Sequence, residues 1–217
     1  MGEDNKDVTI ELSSLEPTER YKILSGVIVP RPIAWVTTVN EAGLVNAAPY
    51  SFFNVFSEDP PLVVLGLQHY PDGSFKDTTR NIHATGEFVV NLCDEAMAHA
   101  MNETAVDFPG DISETDTLGL ATHASMDVKP PRLADAPFSF ECVRHASLAF
   151  GPGRELLIGR PVRVHARAGL LDTEKMYIDY DQYQPVGRLF GSLYARQRDI
   201  FSMTRQSYAE YLADQQK

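Results

Sequence analysis

Residues 31–67 read RPIAWVTTVNEAGLVNAAPYSFFNVFSEDPPLVVLGL, and this stretch decides the fold. Its β-branched and aromatic residues favour strands, and Asn40–Gly43 has the composition of a hairpin turn. The continuous apolar run at its end is typical of a buried strand. We therefore predict three strands, with prolines that place the start of the first at an edge or bulge and a second that pairs back antiparallel on it. They are expected at Val27–Asn40, Leu44–Phe56 and Leu62–Leu67.

The rest of the chain alternates short apolar runs with turn residues. Further strands are predicted at Phe88–Cys93, Phe138–Phe150 and Leu156–Ala168. Fewer segments favour helices. They are expected from Ser74 to Gly86, where Ser74 and Asp77 resemble a capping box, from Asp94 to Ala105, and from about Leu189 to Leu212.

Many short strands and few helices predict a mainly β, closed or nearly closed barrel with a few peripheral helices, rather than a βαβ sheet. No GxGxxG or GxxxxGK[ST] loop for a dinucleotide or nucleotide is present. Residues 108–137 read as long loops with one short strand near Ala121–Val128, and loops of that length are often functional. Without a repeat or linker, one domain is expected over residues 1–217, with an N-terminal extension over 1–20 and a C-terminal helical segment over 189–217.

The overall charge and cysteine content exclude several classes of protein. A net charge of −11 argues against a nucleic-acid surface, although local cations can still hold one phosphate. Cys93 and Cys142 lie in apolar runs and are expected to be buried free thiols. The chain shows neither a signal peptide nor an apolar run long enough to span a membrane, so we expect a soluble, cytoplasmic protein with no membrane partner.

Three clusters contain candidate binding residues. In Asn46–Asn54, small residues and a proline lie beside aromatic bulk, a combination that suits a flat aromatic ligand with a polar tail. Ser74–Asn81 combines a predicted helix start with Lys76 and Arg80 and can bind an anion. Alone, each is more readily explained as an amphipathic strand or a capped helix. In the third cluster, Arg31–Thr38, Trp35 is more readily explained as a core anchor than as a stacking surface.

Residues 31–67, Lys76–Asn81 and Gly86–Asn91 together resemble the flavin reductase-like family in their order and spacing. The run RLFGSLYAR at Arg188–Arg196 is similar to a segment in a subset that includes flavoredoxin-like proteins. The resemblance spans most of the chain from about residue 21 to residue 205. It implies the FMN-binding split β-barrel fold, which is Greek-key-like, and a homodimer with each FMN in a groove close to the subunit interface.

By position, the resemblance implies that Ser51, Lys76, Asp77 and Thr78 surround the phosphate and ribityl chain. Because a carboxylate repels a phosphate, Asp77 is expected to cap the helix or to orient Lys76 or Arg80. The other cofactor-binding residues that we expect line the ring edge and the ribityl chain or lie beside them. They are Trp35, Val36, Thr37, Thr38, Ala48, Pro49, Tyr50, Asn54 and Asn81.

The histidines give less information. His145 and His165 lie on predicted strands, and either could reach a flavin or a nicotinamide or be an ordinary histidine. The six histidines show no metal-like grouping, so we predict no metal site. No catalytic residue is assigned.

The resemblance implies an oxidoreductase in which FMN accepts a hydride from NADH or NADPH. The electrons would pass to a flavin, another small acceptor, a partner oxygenase or an electron-transfer protein. Three alternatives stay open: an FMN-dependent oxidase or specialised enzyme on a small organic substrate, a flavoredoxin-like electron carrier, and a structural barrel without a ligand. We expect residues 108–137 to cover the ring and to set substrate choice.

Overall fold

A seven-stranded antiparallel sheet forms the centre of the computed structural model, which describes residues 7–151 and 153–215. The strands of this sheet follow the order β2-β1-β5-β8-β9-β4-β3, and three two-stranded ribbons lie outside it. The strands are β1 Ala34–Val39, β2 Val45–Tyr50, β3 Phe53–Glu58, β4 Pro61–Gln68, β5 Glu87–Leu92, β6 Thr122–His123, β7 Arg132–Leu133, β8 Phe138–Ala149, β9 Arg154–Ala166, β10 Leu171–Asp172, β11 Tyr177–Ile178, β12 Val186–Arg188 and β13 Tyr194–Arg196.

The helices of the described residues are short and lie around this sheet. Two single 3-10 turns, Leu12–Ser14 and Glu95–Met97, accompany them. The helices are α1 Pro17–Val27, α2 Asp77–Thr85, α3 Ala98–Glu103, α4 Glu114–Thr117 and α5 Tyr208–Gln215.

The order of the strands requires the sheet to close on itself. Its two outermost strands, β2 and β3, are consecutive in the chain and are separated only by Ser51 and Phe52. The N–H of Gly66 in β4 donates to the carbonyl oxygen of Phe52 at 2.7 Å, which holds this link against the far side of the sheet. The predicted mainly β barrel with peripheral helices is therefore confirmed.

The predicted first strand begins too early. Residues 17–27 form α1, which starts with a capping box in which the Glu19 carboxylate accepts from the N–H of Glu16 at 2.9 Å. Pro30 and Pro32 then follow, and proline has no N–H to donate to a ladder, so β1 starts only at Ala34. No helix was predicted over α1, which has no strong apolar period.

The predicted second strand is two strands. Its first half, β2, pairs with β1, whereas its second half, β3, pairs with β4 on the other side of the barrel. The chain changes direction at Ser51 and Phe52, because these residues join β2 and β3, the two outermost strands, where the sheet closes. The strands predicted at β4, β5, β8 and β9 are confirmed.

The predicted C-terminal helix is wrong over most of its length. Residues 186–196 form the β12–β13 hairpin, and only Tyr208–Gln215 is helical. Gly191 has a φ of +63°, and the guanidinium of Arg188 lies 4.5 Å from the ring centre of Tyr194 across the hairpin. The predicted N-terminal extension lies partly outside the described residues, and the single-domain assignment stays a prediction.

Two helix predictions differ only in detail. Helix α2 begins at Asp77 rather than near Ser74, whose hydroxyl donates instead to Asp72 at 2.6 Å. It ends at Gly86, as predicted, with a φ of +73°. Asp94 opens the turn before α3 by accepting from the N–H of Met97. In the long segment 108–137, the predicted strand is reduced to β6, which pairs with β7.

Alternate residues of β1 lie in two separate apolar cores. Ala34 and Val36 pack in the core that contains Phe88, whereas Trp35 packs with Leu133 in a second core on the opposite face of the strand. Trp35 is fully buried, so the core interpretation of this residue is confirmed. No helix in the described part of the chain is long and apolar enough to cross a membrane.

Candidate functional site

A cavity of about 300 Å³ lies where the β2–β3 link meets the start of α2. That volume is at the lower end of the range for small-molecule sites. Four segments form most of its wall: β2 with the following link, the end of β4 with the residues after it, the start of α2, and parts of residues 104–114. Tyr21 of α1 and Arg154 of β9 complete it. The β2 cluster and the α2 cluster, separate in sequence, therefore form one site.

One side of the cavity is mainly apolar and aromatic. Ala48 and Pro49 of β2 line it together with Phe52, whose ring centre lies 6.3 Å from that of Tyr21 in α1. Phe52 is 45% exposed, so this wall reaches the protein surface. A flat, largely apolar group fits against such a surface.

The start of α2 forms the polar side of the cavity. The N-cap residue Lys76 makes no side-chain hydrogen bond to the helix, so the first N–H groups of α2 are not capped by it. Uncapped N–H groups and the helix dipole favour an anion at this position. The Asp77 carboxylate pairs with Arg80 at 2.6 Å, and orientation of Arg80 was one of the two roles predicted for it.

The ammonium group of Lys76 belongs to the same side. It lies 3.2 Å from Oδ1 of Asp107 and 5.2 Å from the ring centre of Tyr70. Asp107 is largely exposed, and exposed ion pairs contribute little to stability. Lys76 can therefore exchange this partner for an anion in the cavity.

Thr78 is held by buried neighbours. Its Oγ1 accepts from Nδ2 of Asn46 in β2 at 2.9 Å, and its hydroxyl also hydrogen bonds with Tyr50. Burial raises the pKa of Tyr50 to about 12, so the phenol stays protonated at neutral pH. These contacts fasten the start of α2 to β2 and leave the hydroxyl of Thr78 little capacity for a ligand.

Ser51 is the second hydroxyl of the cavity. Nε of Arg31 donates to its Oγ at 3.4 Å, a long contact. The guanidinium of Arg31 is buried and also donates to the carbonyl oxygens of Ser25, Ile28 and Leu189. Because Ser51 accepts from Arg31, its own O–H is left to donate into the cavity.

Glu114 adds a carboxyl group from the long segment. Its Oε2 accepts from the N–H of Ala47 in β2 at 2.9 Å, and the side chain is buried in the cavity wall. Burial raises the pKa of this carboxyl, the nearby charge of Asp77 adds to the rise, and the Ala47 hydrogen bond opposes it.

Seven of the predicted site residues line the cavity together, and six do not. Val36 and Trp35 lie in the two cores, and the hydroxyl of Thr37 donates to the carbonyl of Pro131. Those that line it are Ala48, Pro49, Tyr50, Ser51, Lys76, Asp77 and Thr78; those that do not are Trp35, Val36, Thr37, Thr38, Asn54 and Asn81.

Asn54 is exposed, and its Oδ1 accepts from the N–H of Val55. Asn81 is buried and donates to Oγ1 of Thr38 at 3.0 Å. The Asn81 bond ties α2 to β1, whereas the Asn54 bond is local to β3, and neither residue lines the cavity. The chain reverses at Ser51 and Phe52, so Asn54 is carried beyond the wall that the earlier part of its cluster forms.

The two histidines also lie away from the cavity. His165 pairs with Oε1 of the buried Glu141 at 2.6 Å, and His145 is exposed on β8. Two residues of the long segment, Phe108 and Glu114, line the cavity. Leu133 lies in the second core instead, where its N–H donates to Oδ1 of Asn91.

Sequence reasoning missed Asn46, Tyr70, Arg31 and Glu114. Asn46 and Arg31 lie inside clusters that the sequence had singled out, but their partners are distant in the chain. Glu114 carried one local signal, because Ser113 caps the short α4 by accepting from the N–H of Asp116. Nothing local indicated that this turn meets β2. No grouping of metal ligands is found in the described residues, 7–151 and 153–215.

Comparison with known proteins identifies the family to which this fold belongs. The family model described as "Flavin reductase like domain" matches residues 26–187. The chain belongs to the flavin reductase-like family.

Several solved structures are similar to this flavin reductase-like protein. It is 38% identical to 2-nitrobenzoate 2-nitroreductase NbaA of Pseudomonas fluorescens, with a TM-score of 0.86 over 93% of this chain and 98% of that one. It is 36% identical to nitrilotriacetate monooxygenase component B of Bacillus cereus, with a TM-score of 0.87 over 92% and 100%. A protein with a split barrel domain from Shewanella frigidimarina, 18% identical with a TM-score of 0.78 over 89% and 96%, shares the fold.

The protein is therefore a flavin-dependent oxidoreductase with the split-barrel fold. Its cavity fits a flavin nucleotide by the chemistry of its wall. The apolar and aromatic side suits a flat ring, and the uncapped start of α2 with Lys76 suits a phosphate.

Proposed function

We propose that this protein binds FMN and uses it to pass electrons from NADH or NADPH to a flavin, a small acceptor or a partner protein. The single observation that supports this most is the pairing of an aromatic wall with the uncapped start of α2 in one cavity. The flat ring of FMN suits an apolar surface and its phosphate suits hydrogen-bond donors and positive charge, which the aromatic wall and the start of α2 would supply.

At the polar side, Lys76 and the first N–H groups of α2 would hold the phosphate, and the hydroxyl of Ser51 would donate to it or to the ribityl chain. Because the hydroxyl of Thr78 is engaged by Asn46 and Tyr50, its contribution is expected from the backbone N–H. Asp77 stays with Arg80 and contacts no ligand oxygen.

At the apolar side, Ala48, Pro49, Tyr50 and Phe52 would hold and orient the ring. When bound, FMN supplies the hydride and electron-transfer chemistry. The protein then has to bind FMN, orient its ring and restrict access to it, and no catalytic acid or base from the protein is required. Of the predicted residues outside the cavity, Asn81 and Thr38 would support this wall from behind, because their hydrogen bond ties α2 to β1.

The phosphate assignment is tested by Lys76→Ala. Loss of one charge-assisted hydrogen bond, about 1.5–3 kcal/mol, should weaken FMN binding by roughly tenfold to a hundredfold. Flavin fluorescence gives the Kd. Riboflavin, which has no phosphate, should bind both proteins equally, and Lys175→Ala, which removes an exposed cation on a turn, should leave both ligands unaffected. Equal loss for FMN and riboflavin would place the phosphate elsewhere.

The electron donor is tested with the FMN-loaded protein under anaerobic conditions. Bleaching of the flavin absorbance on mixing with NADH or NADPH is the expected result, and the faster of the two is the donor. If neither nucleotide reduces the bound flavin, the reductase reading fails in favour of an oxidase or of a flavoredoxin-like carrier loaded by a protein partner.

Two acceptors are favoured by the comparisons, because one similar protein is named a nitroreductase and the other a monooxygenase component. Release of reduced flavin to a partner oxygenase is our first candidate, and direct reduction of a nitroaromatic compound is the second. The two acceptors are separated by the steady-state rate of NAD(P)H oxidation, measured once with excess FMN and once with 2-nitrobenzoate as the acceptor. Turnover that saturates with added FMN supports the first.

We also propose that the protein is a homodimer. Apolar residues of α1 and the following turn, Tyr21, Leu24, Val27 and Ile28, are exposed beside the cavity wall, where Tyr21 meets Phe52. Burial of this surface against a second copy would enclose the ring side of the site. Light scattering after gel filtration should give twice the monomer mass of 24.1 kDa, and a monomer would refute the assignment.

A further inference from the structure

Glu114 is a buried carboxyl group in the cavity wall without an assigned role. It is 6% exposed, and α4 brings it against β2 from the long segment. One of its oxygens has a structural partner, because Oε2 accepts from the N–H of Ala47 at 2.9 Å. That N–H belongs to an outermost strand of the sheet and points away from β1, so it needs an acceptor from outside the ladder.

The remaining hydrogen-bonding capacity of the carboxyl group is available to a ligand. In the described residues, the carboxyl group of Glu114 accepts only from the N–H of Ala47 and from the N–H of Glu114 itself. The side chain nevertheless lines the cavity, close to the start of α2, where the phosphate is expected.

Burial and the charge of Asp77 disfavour the ionised form of Glu114. Asp77 faces it from α2 and Tyr50 faces it from β2, while the cavity wall also holds Asp107 and the cations Lys76 and Arg154. Burial raises the pKa of Glu114 above its ordinary value, and Asp77 adds to this. A phosphate at the start of α2 would bring further negative charge and raise the pKa again.

An ionised carboxylate and a phosphate are both acceptors and repel each other, whereas a neutral carboxyl group has one O–H to donate. We propose that Glu114 binds the phosphate end of FMN as a neutral carboxyl group, donating a hydrogen bond to it while Oε2 keeps the N–H of Ala47. This inference rests on the proposed FMN site. It makes Glu114 a ligand-binding residue that sets the pH range of binding.

The consequence is a proton linked to binding. Because the bound ligand raises the pKa of Glu114, binding takes up a proton wherever free Glu114 is ionised. Affinity for FMN is therefore highest below the pKa of free Glu114 and falls as the pH rises through it, by at most about tenfold per pH unit. Glutamine donates a hydrogen bond without titrating and can still accept from Ala47.

The test measures the Kd of FMN from pH 5 to pH 9 in wild type, Glu114→Gln and Asp116→Asn. Asp116 is exposed on the same short helix and does not line the cavity, so its amide variant is a matched loss of charge. The phosphate of FMN itself titrates near pH 6, equally in all three proteins. We expect wild type and Asp116→Asn to lose affinity in parallel as the pH rises, and Glu114→Gln to bind more tightly than either at the alkaline end.

Riboflavin gives the second readout, since without a phosphate the difference between wild type and Glu114→Gln should largely disappear. Superimposable FMN profiles for wild type and Glu114→Gln would overturn the inference and leave Glu114 as an acceptor for Ala47 only. If Glu114→Gln does not fold, calorimetry of wild type at pH 7 in buffers of different ionisation enthalpy decides, and binding without proton uptake overturns it. Wild type that binds no FMN at any pH refutes the proposed function itself.

Discussion

Replacing Gly159 with alanine tests the packing of the barrel interior. A Cβ at this position in β9 would lie 2.4 Å from Cζ and 3.1 Å from Cε1 of Phe88. Carbon atoms in contact are ordinarily about 3.5–4.0 Å apart, so the ring would have to move by more than about 1 Å. Phe88 is fully buried among Val36, Leu65 and their neighbours in the first core, so a shift of its ring would displace them.

Overpacking of a core by one methyl group costs about 1–3 kcal/mol, and this contact lies at the upper end because the ring cannot swing toward solvent. We expect Gly159→Ala to lower the free energy of unfolding by about 2–3 kcal/mol. In a chain of this length each kcal/mol shifts the Tm by about 2–4 °C, so the loss should be about 4–12 °C.

Urea and thermal unfolding followed by circular dichroism measure this, with the FMN concentration held constant, since a ligand that binds only the folded state adds to stability. Gly153→Ala is the control, because a Cβ there meets nothing within 4 Å, and its effect should stay within about 0.5 kcal/mol. Phe88→Leu should partly rescue Gly159→Ala, so that the double variant loses less than the sum of the singles. A Gly159→Ala protein as stable as wild type would refute the packing described for this core.

Three further predictions address other contacts. Arg31→Lys should lower the free energy of unfolding by about 2–4 kcal/mol, because one ammonium cannot replace the buried guanidinium that joins Ser25, Ile28, Leu189 and Ser51. Chemical denaturation measures this loss, and a value below about 1 kcal/mol would contradict the prediction. Burial raises the pKa of Glu141, but hydrogen bonds from Met126, His165 and Asp127 outweigh it and hold the pKa below its ordinary value. The stability that this group contributes is therefore complete above about pH 4.3, the value in the unfolded chain, and is lost as the pH falls further. Glu141→Gln should therefore flatten the acid limb of the stability curve below that pH, and an unchanged slope would count against the depressed pKa. Gly66→Ala would place a Cβ 2.9 Å from Cβ of Phe52 in the cavity wall, so FMN affinity should fall by about tenfold, and an unchanged Kd would show that the wall adapts.

The strands were predictable from sequence wherever one local pattern decided them. The β1–β2 hairpin, β5, β8 and β9 follow from apolar runs and the turns between them. The break at Ser51 and Phe52 was not predictable, because it is imposed by closure of the barrel, in which the N–H of Gly66 reaches Phe52. The helix predicted near residue 189 failed for a similar reason, since the hairpin there is held through the buried Arg31 and the contact of Arg188 with Tyr194.

The cavity was half predictable. The start of α2 carries its own signal in Lys76, Asp77 and Thr78, which are adjacent in sequence and lie together in the wall. Trp35 and Val36 match the family pattern, but β1 is covered on both faces, so their side chains enter the two cores. Glu114 and Asn46 meet their partners only through tertiary packing, across more than thirty residues in each case.

Barrel closure and ligand binding share the same residues in this protein, and this sharing couples them. Ser51 and Phe52 join the two ends of the sheet and also line the cavity, while Asn46 and Thr78 bind β2 to α2 beside it. A ligand that contacts the link, α2 and residues 104–114 at once connects segments that otherwise meet through few hydrogen bonds. Its binding free energy is then also folding free energy, about 2.7 kcal/mol at a hundred times the Kd. A substitution at the link will therefore lower both the affinity and the stability, and only measurements with and without FMN can separate the two effects.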